Sequence, residues 1–301
     1  MRYFIITVDT EGDNLWKWTP NSAISTNNVS YLERFQTLCG RFNYKPVYLS
    51  NYEILSTNEF ISFAKRHMQA GECEIGLHLH AWNNPPYYEI EQKYNQPSYL
   101  IEYPIDIMQK KIDVLYDLYV KSLGAKPISH RSGRWAMDDR YFSILKEKGI
   151  KIDCSITPHI NWKKSKGAYR GGCNYEKYNE QPSYFNGVLE VPMTIRRIHW
   201  TNSGSWKHRL KTLILGSTIW LRPAITSENE MIRLLESERK RNVDYVEFMI
   251  HSSELMPGGS PYYKDEQSVE ELYSAMEHVF RKAVQLGFHG ITLKEFYEQY
   301  K

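Results

Sequence analysis

The chain has 301 residues, of which 42% are hydrophobic and 24% are charged. These values are ordinary for a globular protein, and the length is sufficient for one large α/β domain or two small ones. A net charge of +3 is too small to favour a nucleic acid or an anionic membrane as the partner. The chain is also rich in aromatic residues, with 8 Trp and 23 Tyr, and aromatic surfaces suit ligands with flat apolar faces such as sugars.

The cysteines and the apolar runs indicate a cytoplasmic protein. The residues 3–8 form an apolar run that is too short for a signal peptide and is followed by acidic residues. The longest later apolar stretch, residues 213–221, is far shorter than the roughly 20 residues that span a bilayer. No C-x₂-C pair is present, so a Cys₄ zinc site is not expected, and we predict reduced thiols. The four cysteines are Cys39, Cys73, Cys154 and Cys173.

Strand and helix patterns alternate along the chain. Short apolar runs predict strands at residues 3–8, 46–49, 73–79, 127–130, 150–156, 188–191, 245–250 and 290–293. Helical spacing, mostly ended by glycine, predicts helices at residues 28–39, 58–70, 105–123, 138–148, 269–286 and 294–300, with residues 206–240 mainly helical. Residues 157–186 are rich in Gly, Tyr and Asn and are predicted to be an irregular loop that sets specificity.

Alternating strands and helices imply a mostly parallel sheet with right-handed crossovers. The number of units favours a closed or nearly closed (β/α) barrel that spans residues 1–301 as one domain, with its active site at the carboxyl ends of the strands. The apolar and basic segment 207–222 is interpreted as a helix packed on the barrel, and a membrane-surface role is the alternative. Six tryptophans lie just beyond predicted strand ends: Trp16, Trp18, Trp82, Trp135, Trp162 and Trp200.

Four polar clusters end predicted strands, and together they indicate a metal-dependent hydrolase. His78 and His80 are two residues apart, so both would project from the same face of a strand and could supply two nitrogen ligands. Asp9 and Glu11 have the same spacing, and one could bind the metal while the other serves as a base. Each cluster alone has a structural explanation, such as a core histidine or a helix cap. Their joint position at one rim favours function. The other two clusters are residues 130–134 and 251–254.

These four clusters, together with residues 153–155, occur in the order of the five motifs of a known family. The motifs are Asp9-Thr10-Glu11, EIGLHLH at residues 74–80, RSGRW at 131–135, DCS at 153–155 and HSSE at 251–254. Over residues 3–293 the chain resembles the polysaccharide deacetylases, the NodB-like group of carbohydrate esterase family 4. It looks most similar to the branch found in bacterial surface-polysaccharide gene clusters. The resemblance implies a distorted (β/α)7–8 barrel, one divalent metal ion (Zn²⁺), and removal of acetyl groups from N- or O-acetylated sugars.

The resemblance also implies a role for each site residue. By position, Asp9 matches the base that deprotonates the attacking water, and Arg131 matches the arginine that holds this base. His251 matches the acid that protonates the departing amine, and Asp153 matches the carboxylate that orients and charges this histidine. The implied metal ligands are Glu11, His78 and His80, and the implied substrate-binding residues are Trp82, Arg134, Trp135 and Glu254.

Two positions depart from the family pattern. Thr10 replaces the second of two adjacent aspartates that many members have, and the acid moves to Glu11. The usual second histidine lies four residues after the first, where this chain has Trp82, so His80 must serve instead.

Two other functions remain open at this point. An amidohydrolase-type barrel also uses a His-x-His pair, although that pair normally ends the first strand and here it ends the third. A carbohydrate-binding protein that has lost its metal would explain the displaced histidine, although it would not need an acid–base set. Because a cytoplasmic location is expected, a deacetylase would act on a nucleotide- or lipid-linked sugar precursor. The sequence leaves the oligomeric state open.

Overall fold

The computed structural model describes residues 1–17, 19, 22–199 and 205–300. Its elements in chain order are β1 (Arg2–Thr10), α1 (Leu32–Gly40), β2 (Val47–Ser50), α2 (Tyr52–Leu55), α3 (Asn58–Gln69), β3 (Glu74–Leu79), α4 (Ile105–Leu123), β4 (Ser129–Ser132), α5 (Asp139–Glu147), β5 (Ile152–Asp153), β6 (Ser183–Phe185), β7 (Val188–Glu190), β8 (Ile195–Ile198), α6 (Trp206–Leu215), β9 (Ser217–Trp220), α7 (Glu228–Arg241), β10 (Tyr245–His251), α8 (Glu266–Gln285), β11 (Phe288–Gly290) and α9 (Leu293–Tyr300).

One large sheet organises the fold, with strand order β10-β1-β2-β3-β4-β5-β7-β6 and β11 beside the start of β1. All its pairs are parallel except β6 with β7, which are antiparallel. Residues 4–10 of β1 are buried throughout, which is typical of a parallel strand covered on both faces. Because the strands are parallel, Asp9, His78, Arg131 and His251 all approach the same rim.

An irregular segment completes the wall between β7 and β10. Leu221 donates its backbone N–H to the Thr194 carbonyl (3.0 Å) and accepts from the Met249 N–H (3.2 Å). The Thr194 hydroxyl accepts from the Glu247 N–H at 2.8 Å, and the Tyr245 hydroxyl donates to the Pro192 carbonyl at 2.6 Å. The predicted distorted barrel is therefore confirmed, with part of its wall made by single hydrogen bonds in place of a continuous ladder.

The strand at residues 150–156 is shorter than predicted, because only Ile152–Asp153 pair in the sheet. The predicted strand at 290–293 lies earlier, at Phe288–Gly290, since the Thr292 hydroxyl accepts from the Glu295 N–H (3.1 Å) at the start of α9. Residues 206–240 are not mainly helical. Gly216, at φ +75°, ends α6 and leads into β9, which pairs with β8 as a two-stranded antiparallel hairpin.

The prediction that residues 207–222 form one helix packed on the barrel is wrong. The helical part ends at Leu215, and the large apolar side chains of α6 are mostly exposed. Within the part of the chain that is described, no helix is long and apolar enough to cross a membrane. Trp18 and Trp200, which were predicted beyond strand ends, lie outside the described residues.

Gly76 in β3 lies in a closely packed part of the sheet beneath the site, where there is no space for a side chain. A Cβ on Gly76 would come within 2.4 Å of the Ser129 hydroxyl and 2.7 Å of a Leu49 methyl. We expect Gly76→Ala to lower the unfolding free energy by about 1–3 kcal/mol, measured by urea denaturation. The control is Gly40→Ala, where a Cβ has open space around it. Equal stability of both variants would show that β3 and β4 can separate without cost.

Candidate functional site

Three potential metal ligands converge at the ends of β1 and β3. Glu11 Oε2 lies 2.9 Å from His80 Nε2 and 3.3 Å from His78 Nε2, and the two Nε2 atoms are 2.7 Å apart. All three residues are buried, and one ligand atom from each lies within 4.8 Å of the others. The two histidines share one face of the strand, as predicted from their spacing. This cluster could hold a metal ion.

The surroundings of the cluster fit a divalent metal. Two imidazoles and one carboxylate are a donor set that zinc and similar metals accept while keeping a position open. His78 Nδ1 donates to the Arg131 carbonyl (3.0 Å), which turns Nε2 toward Glu11 in the manner of an outer-shell hydrogen bond. Burial would raise the pKa of Glu11, but His80 and His78 outweigh it and hold that pKa well below its usual range.

Asp9 lies beside this cluster and is held by Arg131. Arg131 Nη1 donates to Asp9 Oδ1 at 2.6 Å, and Asp9 Oδ2 lies 4.0 Å from His78 Nε2. Burial acts to raise the pKa of Asp9, but Arg131, His78 and His251 together lower it. Asp9 is therefore an ionised carboxylate next to the potential metal position. The contact between Arg131 and Asp9 is the one that the family resemblance implies.

A second carboxyl group shares Arg131. Glu247 in β10 contacts Arg131 Nη2 and accepts from the Thr7 hydroxyl at 2.7 Å. Burial raises the pKa of Glu247 to about 7, despite the opposing effect of Arg131. One guanidinium thus stabilises the charge on Asp9, while Glu247 retains its proton more readily. Glu247 was not predicted from the sequence.

His251 at the end of β10 faces the cluster from the opposite side. Its Nε2 lies 3.8 Å from Asp9 Oδ2 and 3.9 Å from Glu11 Oε1. Arg222 Nη2 lies 3.1 Å from His251 Nδ1. Because a guanidinium can only donate, Nδ1 is the acceptor and the ring proton is on Nε2, directed toward the cluster. Arg222 was missed because the sequence placed it in a predicted helix.

The prediction that Asp153 orients His251 is wrong. Asp153 is fully buried, and its Oδ1 accepts from His130 Nδ1 at 2.6 Å. His130 Nε2 in turn accepts from the Tyr141 hydroxyl at 2.6 Å. Glu190 lies opposite Asp153 on the neighbouring strand β7, and its Oε1 accepts from the Ile156 N–H at 2.7 Å. Burial and the adjacent Asp153 raise the pKa of Glu190 well above its usual range. This network of polar side chains links α5, β4, β5 and β7 beneath the rim.

The carboxylate next to His251 is Glu254, and its predicted contact with substrate is also wrong. Glu254 is fully buried and accepts from the His251 N–H (3.0 Å) and from Arg222 Nη2 (3.2 Å). Its Oε1 lies 3.6 Å from His251 Nδ1. Glu254 therefore fixes the position of His251 and Arg222 from behind, on the side away from the cleft.

A cleft of about 410 Å³ opens above the cluster, within the size range of small-molecule sites. Three of the four residues predicted to bind substrate, Trp82, Arg134 and Trp135, line it. The cleft is strongly aromatic, as expected from the tryptophans beyond strand ends. Its other aromatic side chains are Trp16, Trp162 and Tyr262.

The segment 157–186 forms one wall of the cleft and is ordered by a buried carboxylate. Glu102 accepts from the backbone N–H groups of Tyr99 (2.7 Å), Ala168, Tyr169 and Arg170 (each 2.9 Å). Arg134 adds a bond to the Lys166 carbonyl at 2.7 Å. The segment contains β6 and the short helical turn Trp162–Lys164. It is therefore more ordered than its composition indicates.

Two of the site residues that were not predicted, Glu190 and Glu247, could have been noticed in the sequence. Glu190 and Glu247 are each a lone acidic residue in an otherwise apolar strand, and such a residue is almost never buried without a partner. That signal predicts a buried polar network but not its members. Arg222 and Glu102 lie in loops or short turns, where no periodicity reveals which way a side chain points.

Comparison with known proteins was informative at the level of structure alone, since no protein-family model and no curated protein matches the chain. A protein of Parabacteroides distasonis, described as a glycoside hydrolase/deacetylase, matches with a TM-score of 0.61 at 12% identity, over 99% of this chain and 71% of that one. A protein of Mycobacterium smegmatis, described as a polysaccharide deacetylase, matches with a TM-score of 0.56 at 13% identity, over 99% and 90%.

A third structure shows how widely the fold is used. The 4-alpha-glucanotransferase of Thermococcus litoralis matches with a TM-score of 0.51 at 13% identity, over 100% of this chain and 38% of that one. The chain thus has the fold of the NodB-type polysaccharide deacetylases, as the sequence motifs indicated. At these identities the likeness defines the fold, and function must be argued from the site.

The raised pKa of Glu247 makes a testable contribution to stability. Between about pH 4.5 and 7 the folded protein keeps a proton that the unfolded chain has lost, so this group destabilises the fold as the pH rises. We expect the stability of Glu247→Gln relative to that of the wild type to increase by up to about 3 kcal/mol as the pH rises from 4.5 to 7. Urea denaturation at several pH values measures this difference.

The control is Glu180, whose effect on stability changes with pH in the opposite direction. Burial would raise the pKa of Glu180, but Arg196 and Arg241 lower it, so its contribution is present at neutral pH and is lost in acid. Glu180→Gln should therefore be destabilising near pH 7 and nearly neutral at low pH. A Glu247→Gln variant whose relative stability does not change with pH would mean that Glu247 is ionised.

Because Asp153 contacts His130 and not His251, its substitution can distinguish a structural role from a catalytic one. We expect Asp153→Asn to lower the unfolding free energy by about 1–3 kcal/mol, because a buried charged hydrogen-bond chain is interrupted, and to leave the folded protein's activity and metal content within a few-fold of wild type. Glu254→Gln, which touches His251 directly, is the comparison and should reduce activity. A stable Asp153→Asn variant that is inactive would restore Asp153 to the catalytic machinery.

Proposed function

We propose that this protein is a metal-dependent deacetylase that hydrolyses the acetyl group from an N-acetylated sugar or polysaccharide precursor. The observation that carries the proposal is the convergence of Glu11, His78 and His80 beside the Arg131-held Asp9, at the floor of an aromatic cleft. A binding protein needs the cleft but has no use for a buried carboxylate kept ionised next to a potential metal position. The deacetylase-type fold is consistent with this reaction.

In this proposal Glu11, His78 and His80 hold the metal, and we favour Zn²⁺ because the set combines imidazole nitrogen with one carboxylate. A bound divalent ion would polarise the acetyl carbonyl and lower the pKa of water at the site. The Arg131 carbonyl keeps His78 in the tautomer that binding requires, through its contact with Nδ1.

Asp9 is the base in this scheme. Its lowered pKa keeps it ionised and ready to take a proton from the attacking water as the new C–O bond forms. Arg131 and the Thr7 hydroxyl beneath it fix the carboxylate in position. When the C–N bond breaks, the proton held by Asp9 passes to the departing nitrogen, so that one group serves first as base and then as acid.

His251 acts as a hydrogen-bond donor in this scheme. Its Nε2–H faces the space between Asp9 and Glu11, while Nδ1 is held by Arg222. We assign Nε2–H to the acetyl oxygen, where negative charge develops during attack. An imidazolium acid, as the family resemblance implies, would need a proton on the nitrogen that now accepts from Arg222.

The cleft suits a sugar ligand. Trp82 and Trp135 offer flat apolar surfaces, and Arg134 and Arg222 offer donors for hydroxyl or anionic groups. We place the reaction in the cytoplasm, because all four cysteines are free thiols and three of them are buried. A precursor in that compartment would be linked to a nucleotide or a lipid.

Metal content and acetate release test the proposal together. We expect the wild type, after reconstitution with Zn²⁺, to bind a stoichiometric ion and to release acetate from N-acetylated sugars. His80→Ala should lose both. Asp9→Asn should keep the metal but lose activity by about 100-fold or more, because it cannot accept a proton. Elemental analysis and an acetate assay measure the two properties.

The control is His278→Ala, an exposed histidine that pairs with Glu228 far from the cleft, and it should retain both properties. Metal that survives in His80→Ala would remove His80 from the ligand set. A wild type that binds sugar but takes up no divalent ion would favour the carbohydrate-binding function. An Asp9→Asn variant with near-normal activity would exclude Asp9 as the base.

A further inference from the structure

Helix α6 exposes an unusual amount of apolar surface for a short helix. Trp206 is 68% exposed, Leu210 48%, Leu213 61% and Ile214 66%. The helix lies between β8 and β9, so it extends from the hairpin beside the barrel wall. In a water-soluble domain, apolar side chains that lie together at the surface mark a contact site.

The four exposed apolar residues of α6 share one side of the helix. Their positions i, i+4, i+7 and i+8 fall within an arc of roughly 100° at the α-helical period. Thr212, on another side, is almost fully buried and marks the side that faces the protein. The exposed residues Lys207 and Arg209 lie on opposite borders of the apolar stripe by the same period, and Lys207 Nζ lies 5.8 Å from the Trp206 ring centre.

The segment around α6 is strongly basic. Residues 191–227 contain six Lys and Arg and no Asp or Glu, whereas the whole chain has a net charge of only +3. Arg196 and Arg222 are buried in ion pairs with Glu238 and Glu254. The positive charge near the apolar stripe therefore comes from the other four basic residues, of which Lys207 and Arg209 are exposed. This distribution makes a second copy of the same face an unfavourable partner, because two basic surfaces would repel each other.

We infer that α6 docks on an anionic phospholipid surface, with its apolar stripe in the headgroup–acyl boundary. A helix with Trp and Leu on one side, flanked by Lys and Arg, is suited to lie in the plane of such an interface. Negative lipid headgroups complement the basic border, and the lipid takes up the apolar side chains that are otherwise in water. The helix binds peripherally and does not cross the bilayer.

The docking surface is connected directly to the cleft. Trp220 in β9 packs against Trp135 and Trp162, whose ring centres lie 6.1 and 6.3 Å from its own, and Arg222 follows two residues later. Docking would therefore hold one wall of the cleft near the membrane. The substrate class that follows, an acetylated sugar attached to a lipid, rests on the proposed function; the membrane contact itself does not.

Vesicle sedimentation tests this inference without any activity readout. We expect the wild type to sediment with vesicles of phosphatidylcholine and phosphatidylglycerol at low salt, and to remain largely soluble with phosphatidylcholine alone or at high salt. Leu213→Ser combined with Ile214→Ser should reduce binding by about tenfold or more, since two apolar side chains no longer enter the interface. Lys207→Gln should weaken binding to the anionic vesicles.

The matched control is Ile105→Ser combined with Val284→Ser, which removes two comparably exposed apolar side chains from α4 and α8 and should not change binding. The inference is overturned if the wild type stays in solution with anionic vesicles at low salt, or if the α6 double variant binds as well as the control. It is also overturned if the double variant abolishes self-association in the absence of lipid, since a second copy would then cover the stripe.

Acetate release from a small N-acetylated sugar separates this result from the proposed function. The α6 double variant should hydrolyse the small sugar as the wild type does, because Leu213 and Ile214 do not line the cleft. Vesicle binding without hydrolysis would overturn the proposed function and leave the membrane contact intact. Hydrolysis without vesicle binding would overturn the membrane contact and leave the proposed function intact.

Discussion

The rest of the site depends on the hydrogen bonds made by the buried guanidinium of Arg131. Its guanidinium is fully buried and donates to the Cys154 carbonyl, Asp9, the Thr7 hydroxyl and Glu247, which belong to or follow three other strands. A buried cation must be matched by nearby charge and hydrogen bonds. Here that requirement brings two carboxyl groups together under the rim and determines which of them carries the charge.

The division of charge among the buried carboxyl groups has a simple physical basis. Asp9 and Glu11 are ionised because cations or imidazoles face them, whereas burial and a neighbouring acid raise the pKa of Glu247 and Glu190. The ionised pair lines the cleft, and the more readily protonated pair lies deeper. The same residue types therefore serve either the reaction or the packing, depending on their neighbours.

The sequence predicts the elements with strong local signals. The helix at 105–123 has the expected bounds because its apolar spacing is regular and Gly124, at φ +70°, ends it. The His78–His80 pair was found because strand periodicity alone places two side chains on one face. The distorted barrel followed from the alternation of strands and helices, and the motif resemblance refined it.

Interactions between distant segments were not predictable in this way. Asp153 was assigned to His251 by analogy with a family pattern, but His130, adjacent to Arg131 in the sequence, is the nearer partner. Nothing in local spacing could have indicated Arg222 beside His251, because β9 was hidden within a predicted helix. The partner of a buried polar group is set by tertiary packing, which single-sequence patterns do not encode.

The hydrogen bonds to Glu102 have a consequence for how this protein could diversify. The floor of the cleft belongs to the barrel strands, whereas residues 168–170 of the wall are attached through backbone N–H groups that donate to one carboxylate. Backbone groups are present whatever the side chains are, so this attachment tolerates changes of side chain at residues 168–170. Recognition of the ligand can therefore evolve in that segment while the reacting groups on the strands stay constant.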